Sequence, residues 1–397
     1  MRFKDRMISV ASACVLLGAL VLSNCILMPA HAQDPTPHER PRRVSDVNAP
    51  PPNAGQAPDK KITVQSDEDV EHVETDLVNL LFNAVDKERR FVTTLKPEDI
   101  RIYEDDKPQQ IANFERETNL PLSLALLIDV SRSQLETLSD EKDAAHIFVE
   151  SLGHSATDRV SVLSFTGDAV VEQDLTSDTA ALQHAIDDMQ IVMPPDDQQA
   201  AALAAMKASA NGDRRMPGST AIWDALWATS NEIMAHTSER TRRAVILVTD
   251  GDDTSSVLKL EDAVDAALKA NTIIYAIGIE PLCGDCPFRK KELRHVAEQT
   301  GGRAFYPKSD AALRAAFAQI QQELRTQYLV SYVPTNRAHD GTFRTVRIDV
   351  VNRDWQKQKL TLSYRGGYYA NPPAPSAVKA PRPRGQHLNN PPWHRKR

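Results

Sequence analysis

The run Leu-Ser-Leu-Ala-Leu-Leu-Ile-Asp, residues 122–129, decides how the rest of the chain is read. Only Ser123 interrupts it before it ends on Asp129. A strand with one wet face would alternate apolar and polar residues, so an unbroken run predicts a strand buried on both faces. Such strands belong to parallel sheets covered by helices. A second run, Ala-Val-Ile-Leu-Val-Thr at residues 244–249, has the same character and is also followed by an acid, Asp250.

Outward from these runs, strands expected at residues 159–165, 169–173, 272–279 and 304–306 alternate with helical periodicity at 140–152, 178–189, 221–234, 260–270, 289–299 and 311–325. The alternation predicts an α/β fold with a doubly wound, mostly parallel sheet over residues 119–327. Ligands of such sheets bind at the carboxyl ends of the strands, near the point where strand order reverses. The residues after Ile128 and after Thr249 are therefore the ones to inspect.

The flanks read differently. Residues 62–118 carry short apolar, β-branched stretches at 73–85, 91–95, 100–103 and 109–114. Polar turn clusters such as Asp86-Lys87-Glu88 and Glu104-Asp105-Asp106-Lys107-Pro108 separate them. Residues 328–370 return to this pattern at 328–333, 345–351 and 359–364, with a turn signal at Asp340-Gly341. These β-sandwich-like segments bracket the α/β unit and are expected to pair beside it.

The ends of the chain read as export and solvation. Arg2, Lys4 and Arg6 precede an apolar stretch, and Ala30-His31-Ala32 offers small residues for signal-peptide cleavage before Gln33. Residues 1–32 are thus expected to be a signal peptide, with an uncleaved membrane anchor as the alternative. No later segment is apolar enough to span a bilayer, and the mature protein is expected to be secreted or periplasmic, in the cell envelope. Residues 33–61, rich in Pro and charged residues, read as a disordered linker. Residues 371–397, with Lys379, Arg382, Arg384, Arg395, Lys396 and Arg397, read as a basic disordered tail open to electrostatic surface contact.

Three loops carry the chemistry. Asp129-Val130-Ser131-Arg132-Ser133 follows the first buried strand, Gly218-Ser219-Thr220 opens a helix, and Asp250-Gly251 follows the second strand. If the strands are right, all three lie at one edge of the sheet. Their side chains offer only oxygen, which suits a hard divalent cation: Mg²⁺ first, Mn²⁺ or Ca²⁺ as alternatives. Five protein groups, some acting through water, leave a coordination position that a partner protein's Asp or Glu carboxylate can fill. The competing reading is that Ser and Asp at strand-to-helix junctions merely cap helices.

The set Asp129-x-Ser131-x-Ser133, then Thr220, then Asp250 resembles the metal-ion-dependent adhesion site, MIDAS, of von Willebrand factor A domains, including integrin I domains. The flanking stretches LKPEDIRIYEDDKPQQIANFE and YLVSYVPTNRAHDGTFRTVRIDV are similar to bacterial, acidobacterial-type proteins with von Willebrand factor A-related domains. The resemblance implies that Ser131, Ser133 and Thr220 contact the metal, while Asp129 and Asp250 act directly or through water. Arg132 stands where the family usually has Gly, and leans across the site or points to solvent. Asp252 and Asp253 read as a solvated loop.

Other signals are weaker. Cys283 and Cys286 are the two cysteines outside the leader and are expected to form a disulfide. A redox-active or zinc-binding CxxC is the alternative, though zinc lacks two ligands, and a structural envelope module with an unused metal site is a third reading. Residues 192–217 look like an insertion at the metal face. No nucleophile elbow, P-loop, dinucleotide or zinc-protease motif is present, so no enzyme is expected. A net charge of −7 gives no reason to propose nucleic acid.

Overall fold

The computed structural model describes residues 42–43, 77–116, 120–152, 157–193, 218–238, 241–280 and 288–370. The stretches expected to be signal peptide and basic tail, most of the expected linker, residues 194–217 and all four cysteines lie outside them. No described helix is long and apolar enough to cross a membrane.

The two decisive runs are adjacent strands. Leu122–Asp129, β6, pairs in parallel with Arg242–Thr249, β9, and on its other side with Arg159–Phe165, β7. Thr272–Gly278, β10, and Ala304–Phe305, β11, continue beyond β9, all in parallel. Ala169–Thr176, β8, is antiparallel to β7. Arg42–Arg43, β1, pairs antiparallel with β8, so two residues of the segment read as a linker close the sheet's outer edge. An uncovered β8 would present a free row of backbone donors and acceptors. The spatial order is β1-β8-β7-β6-β9-β10-β11. The chain moves from β6 outward to β7 and β8, then returns to the opposite flank of β6, which makes the gap between β6 and β9 the switch point.

Alternation along a strand explains why the apolar runs are unbroken. Leu122, Leu124, Leu126 and Ile128 face one helical layer, formed by α1 (Leu138–Ser151), α2 (Thr179–Asp188) and a C-terminal helix, Asp310–Arg325. Ala125 and Leu127 face the other, formed by α3 (Ile222–Ala228), α4 (Leu260–Lys269) and α5 (Lys290–Gln299). Strand β9 divides the same way, Ala244, Ile246 and Val248 against Val245 and Leu247. Each fully buried Leu, Ile or Val contributes about 1.5–3 kcal/mol.

The flanking segments form one sandwich. Val78–Val85, β2, pairs with Tyr328–Tyr332, β12, and with Thr361–Tyr364, β14. Ile111–Arg116, β5, completes that sheet. The facing sheet is built from Ile100–Glu104 (β3), Lys107–Gln109 (β4), Phe343–Val350 (β13) and Gly367–Tyr369 (β15). Asp105 and Asp106 both take positive φ, 47° and 61°, as a two-residue hairpin turn between β3 and β4 requires. Residues 91–95 are not a strand: Phe91 makes an isolated bridge, and Val92 and Leu95 are apolar because they fill the sandwich core. The short strand Gly367–Tyr369 and the helix Arg353–Lys357 are additions to the sequence reading.

Candidate metal centre

Asp129 is the last residue of β6 and is fully buried. Its Oδ1 accepts the Ser131 backbone N–H at 2.9 Å, and its Oδ2 accepts the Thr249 hydroxyl at 2.6 Å. Burial and the neighbouring Asp250 push its carboxyl up to about 7. Asp250, just past β9, is also buried; burial raises its carboxyl too, opposed by a hydrogen bond from Ser133. Gly251 holds φ at +80°, and a Cβ there would lie 3.0 Å from Leu293 Cδ1, so the turn after Asp250 requires glycine.

The hydroxyls of Ser131 and Ser133 lie 3.0 Å apart. Ser131 stands at the N-cap of a short 3-10 turn without making a side-chain cap. The capping reading therefore does not account for it, and both hydroxyls remain at the acidic cluster. Thr220 is held on the adjoining loop. Its carbonyl accepts the N–H groups of Thr254 at 2.9 Å and Ser255 at 3.0 Å, and its N–H donates to the Thr254 hydroxyl. The next residue, Ala221, donates to Thr166 O, and Val130 donates to Phe165 O. The structure thus joins Asp129, Ser131, Ser133 and Asp250 in one network and fastens Thr220 beside it through the backbone.

Asp252 and Asp253 differ from the solvated-loop expectation. Asp253 Oδ1 accepts the Ile222 N–H at 2.8 Å and the Ser256 hydroxyl at 2.5 Å, and so caps α3 from another segment. In return Asp224 accepts the N–H groups of Val257 and Leu258. This double clasp locks the Asp250 loop to the helix that follows Thr220. Asp252 lies half-buried, 3.7 Å from Arg289. Arg132 is exposed.

Two residues beside the acidic pair escaped the sequence reading. Glu141, on α1, is buried, and burial together with Asp129 and Asp250 pushes its carboxyl up to about 8. With the Gln134 amide turned to satisfy both ends, its nitrogen donates to Glu141 Oε1 at 2.9 Å and its oxygen accepts the Asp250 N–H at 2.9 Å. Glu141 Oε2 has no partner. Among the described residues, no group of three or more His, Cys, Asp or Glu side chains is gathered to hold a metal unaided. Any cation here depends on the hydroxyls.

Two family models, both described as von Willebrand factor type A domain, match residues 124–252 and 189–322. The chain carries a von Willebrand factor type A domain. Among curated proteins none matches. Solved structures similar to the chain include the conserved hypothetical protein BatB from Bacteroides thetaiotaomicron, at 18% identity and a TM-score of 0.38, covering 51% of this chain and 98% of that one. A von Willebrand factor type A protein from Catenulispora acidiphila is similar at 15% identity and a TM-score of 0.41, covering 75% of this chain and 72% of its own. Proximal thread matrix protein 1 from the mussel byssus, with a zinc-occupied MIDAS motif, is similar at 20% identity and a TM-score of 0.42, covering 55% of this chain. The chain spans about half, 48%, of that mussel protein. In the von Willebrand factor type A domain here, the DxSxS loop and the Asp250 loop are the ends of the two strands that flank the switch point. Cys283 and Cys286 lie outside the described residues.

Proposed function

We propose that this is an exported, non-enzymatic binding protein whose von Willebrand factor type A domain holds a divalent cation and uses it to bind an Asp or Glu carboxylate on a partner protein. The setting would be adhesion, or assembly of an envelope or secreted complex. Mg²⁺ is the first choice of cation, with Mn²⁺ or Ca²⁺ able to replace it. Ser131, Ser133 and Thr220 would contact the cation, and Asp129 and Asp250 would supply negative charge directly or through water. The cation would act as a Lewis acid that leaves one position for the partner's carboxylate.

The observation that carries this reading is a pair of buried acids with no basic group among the causes that shift them, as far as the described residues go. The groups acting most strongly on Asp129 are two hydroxyls, a backbone amide and another carboxyl. Burying two carboxylates together is costly unless a cation pairs with them. The donor set also fits, since Ser131 and Ser133 are not capping a helix. Glu141, with its unpartnered oxygen, would lie behind the ligands and hold Gln134 against the Asp250 backbone.

Calorimetric titration of Mg²⁺ and Mn²⁺ into the wild type and Asp129→Ala tests the proposal. Saturable heat is expected in the wild type, with affinity lowered more than about 100-fold in the variant. Equal heats in both would sink it. Retention of envelope proteins on the immobilised chain should be lost with EDTA and restored by excess Mg²⁺.

A further inference from the structure

The β-sandwich and the α/β unit meet at a cleft of about 510 Å³. It opens at the amino ends of β9 and β10, where Arg242 and Thr272 begin their strands. The acidic centre is at the other end of the same strands, about 23 Å away for seven residue steps along β9. We infer that this cleft binds a small amphipathic anion, a carboxylate or phosphate carrying an apolar body.

Charge comes first. Arg242, Arg243, Lys269, Arg337, Arg344 and Arg365 line the cleft, and none of its described lining residues is an acid. Arg242 and Arg243 serve the scaffold: Arg242 donates to Leu120 O at 2.7 Å and 3.0 Å, and Arg243 to Ala270 O at 2.7 Å. The inference rests on the other four. Lys269 and Arg337 are exposed at the cleft, with Lys269 Nζ 4.8 Å above the Tyr369 ring.

Arg344 and Arg365 supply the independent sign of a missing ligand. Arg344 is 2% exposed; it faces Glu104 at 3.5 Å and donates to the carbonyls of Asn336 and Ala338, yet its Nε has no partner. Glu104 is already engaged, its Oε2 accepting the hydroxyls of Tyr332 and Tyr368 at 2.9 Å and 2.8 Å. Arg365 donates to Asn79 O at 2.8 Å and to Asn271 Oδ1, and its buried Nε is again without a partner. Burial holds the Arg365 guanidinium below its ordinary range, and the hydrogen-bond partners described for it are neutral oxygens.

A junction built only for rigidity would satisfy its arginines with carbonyls, as it does for Arg242 and Arg243. An oxyanion offers the planar guanidinium fork the acceptor it lacks here. Leu77, Leu81, Leu268 and Leu329 line the same cleft and provide an apolar wall. The volume falls within the range of small-molecule sites, about 300–1,000 Å³.

The test uses the mature full-length chain. Calorimetry with octanoate and with octyl phosphate should show saturable, one-site binding, and comparison of the two identifies the preferred headgroup. Octanol, acetate and inorganic phosphate should bind at least about ten-fold more weakly, because each lacks one half of the recognised chemistry. Arg365→Gln should weaken anion binding about ten-fold. Because Arg365 also ties the two modules, the exposed pair Lys269→Ala with Arg337→Ala provides a second test, with an unchanged melting temperature and a similar loss of affinity. The inference is overturned by absence of saturable binding of both octyl anions, by equal binding of octanol, acetate or phosphate, or by unchanged affinity in both variants. None of these outcomes depends on whether the acidic centre takes a cation.

Discussion

The two ends of the central sheet carry opposite charge. At the carboxyl end lie Asp129, Asp250 and Glu141, all buried; at the amino end lie Arg242 and Arg243, joined from the sandwich by Arg344 and Arg365. The direction of the helices explains the sorting. Helix C-termini reach the amino ends of the strands with unsatisfied carbonyls, and arginines take them: Arg242 donates to Leu324 O on the last turn of the Asp310–Arg325 helix, and Arg243 to Ala270 O at the C-cap of α4. Helix N-termini point the other way and favour acids, as Asp253 at α3 illustrates. At these buried positions charge follows strand polarity.

The buried acids predict a pH dependence at the carboxyl end. The unfolded chain releases the Asp129 proton near 3.8, while the folded state retains it up to about 7. Between those values the folded state binds more protons, so stability falls as pH rises. With chelator present, the loss across this window should be on the order of 4 kcal/mol, and Glu141 should extend it towards pH 8. Saturating Mg²⁺ should flatten the curve. Denaturant melts at several pH values measure it, and a flat curve for the chelated protein would show that the acids are not strained.

Gly301→Ala attacks the junction without touching the acidic end. Gly301 has φ +89°, and a Cβ there would stand 2.7 Å from Arg365 N and 2.9 Å from Tyr364 C. Backbone cannot yield as a side-chain tip can, so a cost of about 3 kcal/mol is expected. The melting temperature should fall and octanoate binding weaken, while cation heat per folded molecule is retained. Loss of both together would mean that the two ends are not separable. In the opposite direction, Glu141→Gln keeps the shape but removes a buried charge. It should weaken Mg²⁺ about ten-fold through Gln134 and raise chelated stability above pH 8, leaving octanoate binding unchanged. Unaltered Mg²⁺ affinity would remove Glu141 from the site.

The difference between the ends also decided what could be read from sequence. The acidic end was legible because β6 and β9 carry long apolar runs, and Asp129 and Asp250 stand at the ends of those runs. Glu141 lies in the polar-looking stretch Ser139-Asp140-Glu141-Lys142-Asp143, but it shares a helical face with Leu138, Ala145, Phe148 and Leu152. A carboxylate on an apolar stripe was the available signal. The basic end had no local signal, because its cations come from four separated segments that only the fold unites. Likewise Val92 and Leu95 resembled a strand because core packing and strand pairing select the same residues.

The smallest expected effect concerns Arg132, the one cation inside the acidic loop. Its exposure puts it in water, where a unit charge about 8 Å from a divalent cation costs roughly 1 kcal/mol before screening. Physiological salt removes more than half of that. Arg132→Gly should therefore tighten Mg²⁺ about two-fold at physiological ionic strength, more at low salt, and not at all near molar salt. Fold stability should move by less than about 0.5 kcal/mol, since the side chain covers no core. Under the proposed function Arg132 would also attract the partner's acid, so the same change should slow association with that partner while tightening the metal. A substitution that shifts both in the same direction would mean that Arg132 acts through loop geometry, because charge alone must move the two oppositely.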